Sequence, residues 1–172
     1  ALTEKSGGTG ADLHSTAVWD EEKGKWILNG ENDSFLTPLL QFSYVICVTD
    51  PDKQGDDRLS AFFVPMDRPG FEIVPMPHMM GCRGSGHTGL KFTNVELEPE
   101  LMLGKRGEGM KVAMHSLAVS RVHIATSNLG ISQRMFEMSI ARARDRVTFG
   151  KPIIKRQAIK MKIANMQMMI HA

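Results

Sequence analysis

Apolar positions recur with two different periods along the chain. Up to about residue 100 they come in short β-branched or aromatic runs: Thr16 to Trp19, Lys25 to Gly30, Ser43 to Val48, Leu59 to Val64, Phe71 to Met76 and Leu90 to Leu97. Such runs suit a pleated, half-buried surface and predict strands. Turn residues separate them, as in Asp50-Pro51-Asp52 and Asp67-Arg68-Pro69-Gly70. Asp20-Glu21-Glu22-Lys23-Gly24, between the first two runs, predicts a hairpin. Strands with no helical pattern between them predict a small antiparallel β-barrel or sandwich.

From about Gly107 the period becomes helical. Met110, Met114, Leu117, Ala118, Ile124 and Ala125 fall on one stripe, and the pattern runs to about Asp145 with Gly130 as its weak point. Gly150-Lys151-Pro152 stops it, because proline removes an amide donor and restricts the residue before it. A second helix is predicted over Ile153 to Ala172, with Ile159, Ile163 and Met166 on its apolar face. The fold class expected is therefore α+β: a β-domain over residues 1–105, then the start of an α-helical domain over 106–172. The thirteen methionines mostly sit at helical spacing, where flexible core filler is expected. The chain opens at Ala1 and stops within a helical pattern at Met166 to Ala172, so a piece of a longer protein is expected.

Composition adds limits. With 172 residues, 42% of them hydrophobic, the chain can build one good core or two small ones. A net charge of +2 with acids and bases interspersed gives no nucleic-acid surface. No apolar stretch approaches the roughly 18–20 residues of a membrane span. Cys47 and Cys82 lie far apart without a CxxC pattern and read as reduced core thiols of a cytosolic-type protein.

Few residues bear chemistry on their own. Gly7 to Gly10 lacks the G-x-G-x-x-G spacing, Gly104 to Gly109 lacks the Gly-Lys-Ser/Thr ending of a P-loop, and Gly81 to Gly86 sits between two predicted strands, so each on its own reads as a turn. The six histidines show no metal-ligand spacing, and there is no Gly-x-Ser-x-Gly elbow. Arg121 lies on the apolar stripe, where a charge needs a partner: a structural salt bridge, a snorkelling stem, an anionic substrate or cofactor, or a catalytic carboxylate from elsewhere in the chain. The stretch "RVTFGKPIIKRQ", Arg146 to Gln157, is either a plain turn between helices or a grip on an anion. A guanidinium can give a phosphate two parallel hydrogen bonds, but cations also suit a helix C-terminus for dipole reasons.

Taken together, four segments resemble the flavin-dependent acyl-CoA dehydrogenases. "LTEKSGGTGAD" is similar to that family's Leu-Thr-Glu-Pro-x-x-Gly-Ser-Asp segment, and "WILNGEN" to its Tyr-x-Leu-Asn-Gly-x-Lys hairpin. "MMGCRGSGHTGLKFTNVELEPELMLGKRGEGMKVAM" resembles the Met-Gly-x-Arg-Gly-Ser segment and the approach to the helical domain. "DRVTFGKPIIKRQAIKMKIANM" follows Arg-x-x-Phe-Gly-x-Pro-Ile-x-x-x-Gln without a gap. The resemblance implies the middle β-domain and first helices of the carboxyl-terminal domain, FAD as cofactor, and oxidation of the Cα–Cβ bond of an acyl-CoA thioester. It also implies an electron-transfer flavoprotein or other acceptor, a homotetramer, and a place in fatty-acid metabolism. The compartment expected is cytoplasmic, or mitochondrial or peroxisomal in a eukaryote.

Carried over by position, the resemblance assigns Leu2, Thr3, Glu4, Gly8 and Thr9 to the flavin ring, with Thr9 also near substrate. Phe35, Leu36 and Thr37 align, with a small shift, to a Trp-Ile-Thr over the flavin. Arg121 would lie near the acyl-CoA, and Arg146, Thr148 and Gln157 would contact FAD, Arg146 and Gln157 across a subunit interface. Ala118 stands where most members carry Asp, and Ser120 where some carry the catalytic Glu, so no residue of this sequence serves as the base. The loop with Lys5 and the Phe-Leu-Thr-Pro run resemble the alkylation-response branch. An alkylation-response-type or oxidase relative that binds FAD without fatty-acyl turnover is thus one alternative, and a non-catalytic binding module another.

Overall fold

The computed structural model describes residues 2–4, 12–34, 41–75, 80 and 88–172. It divides into two compact units, Ala1–Ser116 and Leu117–Ala172. The first is a sheet of seven strands: β1 (Thr16–Asp20), β2 (Lys25–Ser34), β3 (Phe42–Val48), β4 (Leu59–Pro65), β5 (Phe71–Pro75), β6 (Thr88–Leu97) and β7 (Met102–Leu103). Their order across the sheet is β5-β6-β2-β1-β3-β4-β7. All neighbours are antiparallel except β1 and β3, which meet in parallel at Thr16 and Val48. The predicted hairpin is β1–β2, closed by a Gly24 amide donating to the Asp20 carbonyl at 2.9 Å.

The expected barrel is not closed among the described residues: β5 and β7 are the two ends of the sheet. The sheet nevertheless coils strongly. β2 and β4 stand three places apart, about 14 Å in a flat sheet, yet the Trp26 and Phe62 rings are only 5.6 Å apart between centroids. Coiling lets one face bury itself. Ala17, Trp26, Leu28, Val45, Cys47, Phe62, Val64, Leu90, Phe92, Val95 and Leu97 form that core. Residues of opposite parity on β3 and β4, namely Ile46, Val48, Leu59 and Ala61, form a second core with Leu13 and Ala113. Two-sided burial explains why these two strands read as nearly continuous apolar runs rather than alternating ones.

Turn 104–109 is packed against the sheet. Arg106 donates to Asp50 at 2.9 Å and to the Thr49 carbonyl at 3.2 Å, and lies over the Trp26 ring at 5.2 Å. Gly109 comes so close to β4 that an added Cβ would sit 2.6 Å from the Ser60 carbonyl carbon.

Helix α1 (Gly109–Asp145) then runs unbroken through Gly130. It does not hide the expected stripe. Met114, Leu117 and Ile124 are exposed, and so are Val119 and Val122 on other sides of the helix. Buried Phe136 and Ala143 mark the covered positions near its end. No described methionine is fully buried: Met102 and Met110 pack half-buried against the two cores, while most of the helical ones are exposed, so the expectation of core filler holds only in part. Met135, Met138 and Met166 instead line an open groove of about 420 Å³ with Ile159 and Ile163. The second helix is also shorter than predicted. A small hairpin, β8 (Val147–Thr148) with β9 (Lys151–Pro152), and a single 3-10 turn, Ile153–Lys155, precede α2 (Gln157–His171).

Candidate functional site

Glu4 ties the amino-terminal arm to the sheet. Its carboxylate is 6% exposed and accepts the Ser15 amide at 2.8 Å on Oε1 and the His14 amide at 2.7 Å on Oε2. His14 Nδ1 lies 3.2 Å from Oε2. Burial works to raise the Glu4 pKa, but the hydrogen bonds from Ser15 and His14 outweigh it and hold the carboxyl below its ordinary range. Ser15 is itself a hub: its carbonyl accepts the Val48 amide at 2.8 Å and its hydroxyl donates to Asn32 at 3.3 Å. The side chain of Glu4 is thus spent on holding the arm. Its neighbours Leu2 and Thr3 are half-buried and exposed, respectively. Gly8, Thr9, Phe35, Leu36, Thr37 and Cys82 lie outside the described residues.

The elbow between the helices is built by its own turn chemistry. Phe149 and Gly150 both have positive φ, 49° and 74°, as a two-residue hairpin turn that follows strand twist requires. The Ile153 amide donates to the Arg146 carbonyl at 2.8 Å, folding the chain back beside the end of α1. Arg156 then stands immediately before α2, and its Nη2 donates to the Thr148 carbonyl at 2.9 Å and to Thr148 Oγ1 at 2.7 Å. Its guanidinium also lies 5.3 Å from the Phe149 ring centre. The elbow brings the backbones of Arg146 and Thr148 next to the residue preceding Gln157. Arg146 and Gln157 are both exposed, and neither side chain has an ionic or hydrogen-bonding partner among the described residues.

The sequence reading missed Arg156, which makes more contacts than either residue it singled out. Its signal was present, a cation one place before the Gln, but spacing cannot tell which of two arginines faces inward. Charge is also less mixed than expected. Glu137 and Asp145 are the only acids from Leu117 to Ala172, while cations crowd from Arg142 to Lys162. The elbow therefore sits in a positive field that favours anions.

Arg121 does not meet the demand placed on it. It is exposed on α1, where water solvates the charge, so no partner is forced. Cys47 is fully buried, and burial pushes its thiol far above the ordinary range, which removes it as a nucleophile. Among the described residues no group of His, Cys, Asp or Glu could hold a metal ion, and no helix is long and apolar enough to cross a membrane.

The strand-rich and helical parts of the chain match two known domains. Residues 1–95 match the acyl-CoA dehydrogenase middle domain, and residues 107–172 match the acyl-CoA dehydrogenase C-terminal domain. The chain belongs to the acyl-CoA dehydrogenase family.

Its relatives agree. An acyl-CoA dehydrogenase of Bacillus subtilis is 38% identical over 96% of this chain and 44% of its own length. The mitochondrial short-chain specific acyl-CoA dehydrogenase of Rattus norvegicus is 32% identical over 100% of this chain and 42% of its own. Butyryl-CoA dehydrogenase from Megasphaera elsdenii superposes with a TM-score of 0.91 at 33% identity, over 99% of this chain and 44% of that structure. The chain thus spans less than half the length of the curated relatives it matches.

Proposed function

We propose that the chain is part of an FAD-dependent acyl-CoA dehydrogenase that removes hydrogens from Cα and Cβ of an acyl-CoA thioester. The observation that carries the reading is the elbow: an exposed Arg146 and Gln157 flank a hairpin braced by Arg156, in a stretch that follows the family pattern without a gap. The residues present fit a dinucleotide. A guanidinium with no partner among the described residues, a primary amide and the Thr148 hydroxyl offer charge-assisted and neutral donors, as phosphate and ribose oxygens require. A solved acyl-CoA dehydrogenase from Bacillus anthracis, 27% identical with a TM-score of 0.88, is a complex with FAD.

Bound FAD would supply the hydride acceptor of the reaction. The chain's own residues hold and orient. Arg146 grips phosphate, and Gln157 and Thr148 give hydrogen bonds beside it. By the family pattern, backbone groups of Leu2, Thr3 and Glu4, with Gly8 and Thr9, would line the flavin ring, and Phe35, Leu36 and Thr37 would cover it. Glu4 keeps the arm in register by accepting from Ser15 and His14. By the same pattern Thr9 and Arg121 would lie on the acyl-CoA side. The base that takes the α-proton is a Glu carboxyl-terminal to this sequence, in the length of the relatives that the chain does not span.

An electron-transfer flavoprotein is the natural electron acceptor: a matching solved chain, 34% identical with a TM-score of 0.91, comes from work on the electron transferring flavoprotein of Acidaminococcus fermentans. The assembly we propose is a homotetramer. The compartment we propose is cytoplasmic, or mitochondrial or peroxisomal in a eukaryote; the Rattus norvegicus relative is named as mitochondrial.

The visible spectrum of the purified full-length protein tests the reading. Flavin bands that bleach anaerobically on adding an acyl-CoA, and a protein that loses flavin when Arg146→Ala is made, are the results expected. A colourless protein that takes up no added FAD would refute it. Bands that reoxidise rapidly in air would select an oxidase, as in the prolyl acyl carrier protein oxidase that matches at a TM-score of 0.87.

A further inference from the structure

We infer that Arg156 is a positioning residue for the proposed dinucleotide site: it fixes the Thr148 hydroxyl as a donor to a bound ligand. The inference rests on the reading of the elbow as an FAD grip and deepens it. A guanidinium can only donate, whereas a hydroxyl has one proton and two lone pairs. Arg156 Nη2 lies 2.7 Å from Thr148 Oγ1 and 2.9 Å from the Thr148 carbonyl, so both oxygens are acceptors in these contacts. The hydroxyl proton is left over, and no described residue accepts it. A threonine whose lone pair is already committed to a cation is polarised toward giving that proton to an external acceptor.

Two further features show how firmly the guanidinium is held. Its face lies 5.3 Å from the Phe149 ring centre. Its Nε is shielded from water with no acceptor among the described residues, an arrangement that a fold tolerates only when other contacts over-determine the position. Phe149 meanwhile keeps a φ of 49°, a left-handed backbone that glycine adopts more easily. Rigid support of Thr148 gives these costs a purpose. Arg146, by contrast, is exposed and left to meet the ligand itself.

The test is a double-mutant cycle on FAD affinity in the full-length protein, using Arg156→Met, Thr148→Val and the double variant. FAD dissociation constants come from titrating apoprotein, and amide hydrogen exchange of the apoprotein over residues 146–157 reports the elbow without ligand. Thr148→Val is expected to weaken FAD binding about tenfold, the scale of one hydrogen bond to a charged acceptor. Arg156→Met is expected to weaken it to a similar degree, to speed exchange in the elbow, and to add little in the Thr148→Val background. An Arg156→Met loss of the same size in both backgrounds overturns the proposal, because Arg156 would then act by charge alone. Faster exchange with wild-type FAD affinity overturns it too, leaving only a structural brace. If Thr148→Val and Arg146→Ala both bind FAD like the wild type, the FAD reading of the elbow fails, and the role of Arg156 falls with it.

Discussion

Glu4→Gln isolates one buried carboxylate whose work can be counted. The wild-type group receives the Ser15 amide at 2.8 Å and the His14 amide at 2.7 Å, one on each oxygen. Glutamine keeps one acceptor oxygen and sets an NH2 against the other amide. Ser15 is 1% exposed and cannot turn to water, whereas His14 is exposed. The side chain therefore keeps its oxygen toward Ser15 and abandons His14. One charge-assisted bond becomes neutral and another is lost at a half-wet site, about 2 kcal/mol in all at neutral pH. Urea unfolding followed by tryptophan fluorescence measures it, since Trp19 and Trp26 are the chain's tryptophans and both lie in the sheet.

The pH dependence supplies a second check. The Glu4 pKa is held below its ordinary value of 4.5 in the folded state, so the unfolded state binds more protons between those two values. Its stabilisation is complete above pH 4.5 and disappears as pH falls through the folded value. The gap between wild type and Glu4→Gln should be full at pH 7 and close in acid. A gap under about 0.5 kcal/mol at pH 7, the size of an ordinary surface change, would refute the argument. So would a gap that stays constant into acid.

Gly30→Ala should destabilise the sheet by roughly 3 kcal/mol or more, seen as a lower melting temperature or insoluble protein. Gly30 has a φ of 145°, and an added Cβ would stand 2.6 Å from the Ser15 Cα, displacing the residue that anchors Glu4. A wild-type melting temperature would show that the strand can shift freely there. Cys47 should resist iodoacetamide at pH 8 in native protein and react after unfolding, as read by peptide mass mapping. Prompt native labelling would contradict both its burial and its raised pKa.

Strand positions were legible because their signals are local. Six runs of β-branched and aromatic residues, punctuated by Asp, Pro and Gly, became β1 to β6 within a few residues. Edge strand β7 was not seen, since Met102 and Leu103 owe their extended form to pairing with Phe62 and Ala61 forty residues away. The hairpin in the elbow was missed for the opposite reason. Phe149-Gly150 is a poor match to the Asn-Gly that usually marks such a turn, and the fold imposes the conformation on Phe149. Starting α2 at Ile153 was an error of the same kind: its amide is claimed by the Arg146 carbonyl, not by a helix.

The site divides along the same line. Residue types and spacing left Arg146 to Gln157 open between a plain turn and a grip on an anion, and only the resemblance to a family suggested the kind of ligand. They could not say that Glu4 turns inward to accept from Ser15, that Arg121 is exposed on α1, or that Arg156 rather than Arg146 braces the elbow. By itself the order of residues determined which stretches extend, which coil into helices and where the chain turns, because those preferences act over a few bonds. Only folding decided how far the sheet coils, which apolar residues find cover and which arginine faces inward. Those outcomes depend on contacts between segments distant along the chain, whose energies no local pattern encodes.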